Sequence, residues 1–297
     1  MLLGVIGDLV QDVVVWLEEA PRAATDTRCH ITITRGGSAA NVAAFAAPHC
    51  RTRFIACVGD DLAGRTLVAD LAVRGVEVRT QTRGKTGTVV VLVDTGGERQ
   101  MFPSRGASAE LGPVPPEWLA DVSVLHLTGY SLASEPAASS VLAAARHARR
   151  AGARLSLDVS SAGLIAGYGV TAFQDLLRDL APDVISANRE ECVLLELCNG
   201  DAAGGFGRDL GVAILLARDG ARPTRIWRGG KCMATVDVPP VADVRDLTGA
   251  GDAFNAGFLA AWMHGAELEA ACHAGHALAG RAVRFAGASD GRTAGTG

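Results

Sequence analysis

The sequence predicts an α/β fold in which a doubly wound, mostly parallel sheet is flanked by helices and carries a small β-sheet lid. Short apolar runs alternate with longer helical patterns through most of the 297 residues, and most runs are bounded by glycine, proline or aspartate. Two stretches, 13–35 and 86–105, break this alternation with the turn pattern of hairpins. The alternation implies right-handed crossovers and parallel strands, and the two exceptions predict the lid.

The predicted strands of the main sheet carry apolar residues on both faces, as expected for a sheet covered on both sides. They are Leu2–Ile6, Arg53–Val58, Val124–Leu127, Arg154–Val159, Val184–Ala187 and Val212–Leu216. Helical patterns lie between them and after them, at Ser38–Ala47, Ala63–Arg74, Ala137–Arg150, Thr171–Leu180, Arg189–Leu197, Thr248–His264 and Leu268–Phe285. Because open α/β sheets bind ligands outside the carboxyl ends of their strands, we expect the lid to cover that edge.

Composition limits the class of protein. The chain is 48% hydrophobic and 20% charged, which excludes general disorder, and its length suits a single domain over residues 1–297. A net charge of −4 argues against a nucleic-acid partner. The sequence contains no run of 18 uncharged apolar residues, so no membrane span is predicted. The seven cysteines form no C-x-x-C pair, which is typical of free thiols in a reducing compartment, so we expect a cytoplasmic protein.

The strongest motif is Asp246-Leu-Thr-Gly-Ala-Gly-Asp252. It sets three small residues, Gly249, Ala250 and Gly251, at the start of a predicted helix, with Asp252 in the first turn. Backbone N–H groups at a helix N-terminus stabilise developing negative charge, and a carboxylate there can take a proton from a hydroxyl. The alternative is an ordinary tight turn with Asp252 as a helix cap.

The second motif is Arg35-Gly-Gly-Ser-Ala-Ala-Asn41. Gly36 and Gly37 open a helix and allow the backbone to approach a ligand closely. Asn41, on the first turn, has the donor and acceptor atoms that a polyol requires. The alternative is a flexible turn with Asn41 bonded to main chain.

Other nucleotide, metal and hydrolase motifs are excluded. Gly84-Lys85-Thr86 ends like a P-loop, but Arg79 stands where that motif needs its first glycine. No G-x-G-x-x-G follows a strand, and no G-x-S-x-G is present. His273 and His276 lack a third ligand in sequence, so no zinc site is predicted.

Together and in this order, the two motifs resemble those of the ribokinase-like (PfkB) carbohydrate kinase family, over nearly the whole chain. The resemblance implies that Gly36, Gly37 and Asn41 line a sugar pocket. Gly7-Asp-Leu-Val-Gln-Asp12 is similar to the end of the family's first strand, whose final aspartate binds sugar hydroxyls. Asp8 offers a further acceptor there.

The resemblance also implies the phosphate-transfer residues and the cofactors ATP and Mg²⁺. Asp252 corresponds to the catalytic base, and Gly249, Ala250 and Gly251 to the anion hole. Asn188-Arg-Glu-Glu191 resembles the N-x-x-E motif, whose glutamate organises magnesium through water. Gly220 and His276 lie where the family places its adenine-binding loop and the helix beside the base. The backbone carbonyl of Asp246 lies where a monovalent cation such as K⁺ is bound.

The sequence departs from the family at three places. The T-x-G-x-x-G nucleotide turn appears as Leu215-Leu-Ala-Arg-Asp-Gly220, without its threonine and first glycine. Val10 replaces an asparagine of ribokinase proper, and Ser38 replaces its lysine. These changes put the ATP contacts of that turn and strict ribose specificity in question.

We therefore predict an ATP-dependent kinase that phosphorylates a primary hydroxyl of a neutral sugar, such as ribose or another pentose or hexose. One alternative is a nucleoside kinase of the adenosine or pseudouridine type, with Trp16 stacking on the base. Another is a non-catalytic sugar or nucleotide sensor. We expect the lid edges to expose apolar residues such as Val89, Val91 and Phe102, which predicts a homodimer joined through the lids.

Overall fold

A computed structural model describes residues 1–211 and 213–288 and contains two principal sheets. The strands are β1 (Leu2–Ile6), β2 (Val10–Leu17), β3 (Cys29–Gly36), β4 (Arg51–Val58), β5 (Glu77–Thr82), β6 (Gly87–Val93), β7 (Arg99–Ser104), β8 (Val122–Thr128), β9 (Arg154–Asp158), β10 (Val184–Asn188), β11 (Cys198–Asn199), β12 (Ala202–Ala203), β13 (Ile214–Asp219), β14 (Arg222–Arg228) and β15 (Lys231–Val236). The α-helices are α1 (Ser38–Ala46), α2 (Leu62–Val73), α3 (Ala137–Arg150), α4 (Ala162–Tyr168), α5 (Val170–Leu180), α6 (Arg189–Leu194), α7 (Gly205–Asp209), α8 (Ala250–Met263) and α9 (Leu268–Ala282).

The main sheet has nine strands in the order β15-β14-β13-β10-β9-β8-β1-β4-β5. The pairs from β13 to β5 are parallel, and the hairpin β14–β15 adds an antiparallel edge. From β1 the chain first adds β4 and β5 on one side and then β8 and its successors on the other. The carboxyl end of β1, where Asp8 follows, is thus a topological switch point, the usual place for a ligand crevice.

Helices cover both faces of this sheet because its central strands are apolar on both sides. All five residues of β1 are buried. One apolar core packs α3 and α5 against the sheet, and a second packs α1, α2, α8 and α9 against the opposite face. Among the described residues, no helix is long and apolar enough to cross a membrane.

The lid is a four-stranded sheet in the order β3-β2-β6-β7. Its cross-strand register places Val13, Ile33, Val90 and Phe102 in one row on the outer face. Val89 and Val91 belong to the opposite rows, with Asp12 and Val14, and face the site. The prediction that Val89 and Val91 form an exposed lid edge is therefore wrong, because alternation along β6 turns them inward.

The predicted fold class is confirmed, and each of the six predicted strands and seven predicted helices corresponds to an observed one. Val212, in the last predicted strand, lies outside the described residues. The sequence pattern did not predict β5, β11, β12, β14, β15, α4 or α7.

Candidate active site

A cavity of about 390 Å³ lies between the lid and the carboxyl ends of the main strands. It brings together most of the residues singled out from the sequence: Asp8, Asp12, Gly37, Asn41, Asn188, Glu191, Gly249, Gly251 and Asp252. Gly36 lies beside it, against Asp12. Segments that are far apart in the chain therefore converge on one site.

The turn Gly249–Gly251, which is the predicted anion hole, has the backbone that the motif predicts. Gly249 caps α8 in the left-handed region, with φ of 77°, and a Cβ there would lie 2.6 Å from Ala288. Gly249 and Gly251 line the cavity. The amide of Ala250 instead donates to the carbonyl of Leu247, at 3.2 Å. The flanking glycine amides are thus the ones available to an anion.

Asp252 links this turn to the double-glycine motif. Its Oδ1 accepts a hydrogen bond from Ser38 Oγ at 2.7 Å, and its Oδ2 accepts one from Asn41 Nδ2 at 2.9 Å. Burial raises the pKa of Asp252 to about 7, against the opposing effect of these two bonds. A carboxylate with such a pKa is suited to accept a proton near neutral pH.

Glycine is required at positions 36 and 37 because two aspartates leave no room for a side chain there. A Cβ on Gly36 would lie 2.0 Å from Asp12 Oδ1, and one on Gly37 would lie 2.5 Å from the backbone oxygen of Asp8. Asp8 accepts from the amides of Ser38 and Ala39 and so caps α1. Burial, and then the charge of Asp8, raise the pKa of Asp12 to about 6. Asp12 faces the cavity, so its carboxylate is placed to accept from a substrate hydroxyl.

Asn188 and Glu191 form a capping box at the start of α6. The Glu191 carboxylate accepts from the backbone N–H and the Nδ2 of Asn188, both at 2.7 Å, and Asn188 Oδ1 accepts from the Glu191 amide at 3.0 Å. Burial raises the pKa of Glu191 to about 7, with a further contribution from Asp158. The N-x-x-E spacing thus holds a buried carboxylate at the cavity wall.

The carboxylates of the cavity fit a hydrated magnesium ion. Within residues 1–211 and 213–288, no three His, Cys, Asp or Glu side chains are placed to ligate one metal ion directly. Glu191, Asp158 and Asp252 nevertheless line the same cavity and present acceptors for a hydrated cation.

The carboxylate of Asp246 is paired with a lid arginine, whereas a monovalent cation at the backbone carbonyl of Asp246 stays a prediction. Its Oδ1 accepts from Arg99 Nη2 at 2.7 Å and from the Thr248 amide at 2.8 Å, and its Oδ2 accepts from the Gly287 amide at 2.8 Å. Arg99 lies on β7 and also donates to Thr248 Oγ1 at 2.6 Å. A guanidinium from the lid thus supplies the positive charge at this carboxylate.

Two predicted nucleotide residues lie away from the described cavity. Gly220 lies in the β13–β14 turn, with φ of 62°. His276 is buried on α9, where its Nε2 is 2.9 Å from Thr224 Oγ1 and its ring packs against Phe254. Neither residue lines the cavity that holds Asp252, and their roles toward adenine stay predictions.

Among the cavity residues that sequence reasoning missed are three with polar side chains, Asp158, Ser38 and Arg218. Asp158 ends β9 and accepts from Asn255 Nδ2 and Arg218 Nη2. Ser38 was noted only as a departure, yet it bonds to Asp252. The signal for Asp158 was its place at the carboxyl end of a predicted strand, and that for Arg218 was the altered nucleotide turn.

Comparisons with known proteins agree with this geometry. The family model of the pfkB family carbohydrate kinases matches residues 2–294. The chain is 32% identical to an ATP-dependent ribose-1-phosphate kinase of Halopiger xanaduensis, covering 97% of this chain and 90% of that one. It is 26% identical to a ribokinase of Haemophilus influenzae, covering 86% and 83% of the two chains.

Solved structures share the fold over almost the full length. The crystal structure of adenosine kinase from Sinorhizobium meliloti matches with a TM-score of 0.83 at 25% identity, covering 97% of this chain and 94% of that one. The turn Gly249–Asp252, the double-glycine helix α1 and the lid therefore belong to a known architecture.

Proposed function

The chain belongs to the pfkB family of carbohydrate kinases and is an ATP-dependent carbohydrate kinase, and we propose that it phosphorylates a primary hydroxyl of a neutral pentose or hexose such as ribose. The observation that carries the proposal is the contact of Asp252 with Asn41 and Ser38. This contact sets the base at the boundary between the sugar end and the phosphate end of one cavity.

In the proposed reaction, the substrate hydroxyl displaces Ser38 or Asn41 at the Asp252 carboxylate. Asp252 accepts the hydroxyl proton as the substrate oxygen attacks the γ-phosphorus of ATP. A new P–O bond forms, the bond from the γ-phosphorus to the β,γ-bridging oxygen breaks, and ADP leaves with that electron pair. The proton then passes from Asp252 to solvent.

The amides of Gly249 and Gly251 would face the transferred phosphoryl group, where negative charge is spread over its oxygens. A helix N-terminus supplies about half a unit of positive charge. Magnesium bound with ATP would neutralise phosphate charge, and Glu191 and Asp158 would hold its water ligands. We assign no monovalent cation to the backbone carbonyl of Asp246, because the Arg99 guanidinium at the carboxylate of the same residue already places a positive charge there.

The sugar end supports a polyhydroxyl substrate. Asp12 accepts no hydrogen bond from a side chain or amide of the described residues and faces the cavity, so it has acceptor capacity for two hydroxyls. Asn41 adds a side-chain oxygen that is buried and without a partner in the described chain. Buried polar atoms without partners are a cost that a bound sugar would remove.

A second candidate is a ribose that carries a substituent at C1, and two observations favour it. Arg105 lines the same cavity, donates to the backbone oxygen of Tyr130 at 2.6 Å, and has a buried Nε without a partner among the described residues. It suits a phosphate, as in the relative named for ribose 1-phosphate. Trp16 lines an adjoining cavity of about 350 Å³ with Asp12 and Val14, which suits a nucleoside base.

One experiment separates these substrates: ADP release measured with ATP, Mg²⁺ and ribose, fructose, keto-deoxygluconate, ribose 1-phosphate or adenosine. Ribose or fructose as the best substrate supports the proposal. Preference for ribose 1-phosphate, lost in Arg105→Gln, or for adenosine, lost in Trp16→Ala, supports the second candidate. Binding of sugar and ATP without turnover of any acceptor would indicate the sensor.

The outer face of the lid supports a homodimer. Ile31, Ile33 and Phe102 are each more than half exposed there. Apolar side chains on one face of a sheet are typical of an interface with a second copy. All seven cysteines are free thiols, in keeping with the cytoplasmic location that we propose.

A further inference from the structure

A cationic side chain outside the motifs that resemble the family's lies at the phosphate end of the cavity. Arg218 is the next-to-last residue of β13, and its Cα is in register with Asn188 on β10. It belongs to the nucleotide turn in which the sequence departs from the T-x-G-x-x-G pattern. Because parallel strands end at the same edge, Arg218 is brought beside the N-x-x-E motif and the helix α8.

The guanidinium of Arg218 contacts the anion hole directly. A Cβ built on Gly251 would lie 2.4 Å from Arg218 Nη1, so this nitrogen packs against the Gly251 backbone. Nη2 lies 3.3 and 3.4 Å from the two carboxylate oxygens of Asp158. Nη1 donates to none of the described residues, and Nε is buried without a partner among them. The group is thus anchored through one nitrogen and has donor capacity to spare.

The charges around Arg218 give it a specific place in the reaction. Asp158, Glu191 and Asp252 line the same end of the cavity, and three carboxylates there would repel the triphosphate of ATP. Arg105 and Arg218 are the arginines of the described chain that line this cavity, and Arg105 lies beside Tyr130. Arg218 is therefore the cation at the turn where charge develops.

We propose that Arg218 is a catalytic residue whose Nη1 donates a hydrogen bond to an oxygen of the phosphoryl group during transfer, opposite the amides of Gly249 and Gly251. This rests on the proposed kinase reaction. Arg218 stays protonated and exchanges no proton, so the atom balance of that reaction is unchanged. Asp158 acts as a positioning residue that fixes the guanidinium through Nη2.

The alternative is that Arg218 only balances the buried charge of Asp158. The two roles differ in the kinetic parameter that changes when the arginine is replaced. Loss of a contact made in the transition state lowers kcat with little change in the KM for ATP. Loss of charge balance lowers the melting temperature, and it weakens the binding of the nucleotide equally in the ground state and in the transition state.

The test compares Arg218→Met and Arg218→Lys with the control Arg222→Met, which removes an exposed arginine that pairs with Asp219 outside the cavity. We expect kcat to fall about 10³-fold in Arg218→Met. ADP with fluoroaluminate, a mimic of the transferring phosphoryl group, should lose far more affinity than ADP alone. Added guanidinium chloride should restore part of the activity. Arg218→Lys should be intermediate because it keeps the charge without the planar fork.

Three results would overturn the role of Arg218. The first is a kcat in Arg218→Met that equals that of the wild type, where the wild type itself has measurable activity. The second is an equal loss of affinity for ADP and for ADP with fluoroaluminate, without rescue by guanidinium. The third, which applies if Arg218→Met does not fold, is full activity in a folded Arg218→Lys. Wild-type protein without turnover on any acceptor contradicts the proposed function instead.

Discussion

Asn41 donates a hydrogen bond from its Nδ2 to the Oδ2 of Asp252 over 2.9 Å, which joins two motifs 211 residues apart. Asn41 is 5% exposed, and its Oδ1 has no partner among the described residues. The amide of Asn41 therefore connects the proposed base to the proposed sugar pocket and keeps one acceptor atom for a ligand. Replacement of Asn41 or Asp252 should therefore lower the turnover rate more than it lowers the stability of the fold.

Asp252→Asn should abolish most of the turnover. The variant keeps the size of the side chain but cannot accept the substrate proton, so we expect kcat to fall about 10²- to 10⁴-fold. Coupled measurement of ADP release gives the rate, and circular dichroism checks the fold. Asp175→Asn, on the exposed side of α5, is the control and should be fully active. Near-normal turnover in Asp252→Asn would show that another group is the base.

The pH dependence should report on Asp252. Its active form is the carboxylate, so kcat/KM should rise with pH and level off above an apparent pKa of about 7. Glu191 also has a pKa raised to about 7 by burial, so the limb alone does not identify the group. The hydrogen bond from Ser38 lowers the pKa of Asp252. Ser38→Ala should therefore raise this pKa and move the rise of kcat/KM to higher pH. If the rise of kcat/KM with pH stays at the same pH in Ser38→Ala, that rise would be assigned to Glu191.

Gly36→Ala should disturb the sugar pocket specifically. Its Cβ would lie 2.0 Å from Asp12 Oδ1, so the carboxylate must move. A displacement of this kind costs on the order of 10²-fold in kcat/KM for the sugar. Gly167→Ala in α4 is the matched control, because its Cβ would meet no atom within 4 Å. Equal sugar kinetics in Gly36→Ala and wild type would contradict the role of Asp12.

The parts of the fold that the sequence predicts are those with a strong local pattern. β1 and β4 are almost wholly buried and therefore read as continuous apolar runs. β14 was missed because Arg222, Pro223 and Arg225 interrupt its apolar pattern. β15 was missed because it is the edge strand of the sheet and is exposed along most of its length, so it carries no clear apolar alternation.

The site was predictable where one short segment carries the geometry. In the turn Gly249–Asp252, Gly249 adopts a left-handed φ that glycine permits. The glycines of the motif therefore predict this turn directly. The pair Arg218–Asp158 joins residues 60 positions apart. They lie on β13 and β9, which flank β10, and this arrangement depends on the topology of the whole sheet. No local pattern encodes such a pair.

Activity should not depend on K⁺. Because Arg99 occupies the Asp246 carboxylate, we expect equal rates in potassium, sodium and tetramethylammonium chloride at the same ionic strength. Arg99→Met should lower kcat, because the lid no longer holds Asp246 and Thr248, and K⁺ should then stimulate the variant. Arg79→Met, which removes an exposed partner of Glu77, is the control. A several-fold stimulation of wild type by K⁺ would contradict the assignment.

The outer lid face should join two copies of the chain. Val13, Ile33, Val90 and Phe102 form a continuous apolar row across all four lid strands, and Ile33 is 63% exposed in the single chain. A buried charge without a partner is strongly unfavourable, so Ile33→Glu should dissociate the dimer.

Size-exclusion chromatography with light scattering should give twice 30.6 kDa for wild type and 30.6 kDa for Ile33→Glu. Val73→Glu, which replaces an exposed apolar residue on α2, should leave the dimer intact. Since the same lid strands carry Asp12 and Arg99 on their inner face, dissociation should also raise the KM for the sugar by loosening the lid. A wild-type monomer with full activity would show that the lid is ordered without a partner.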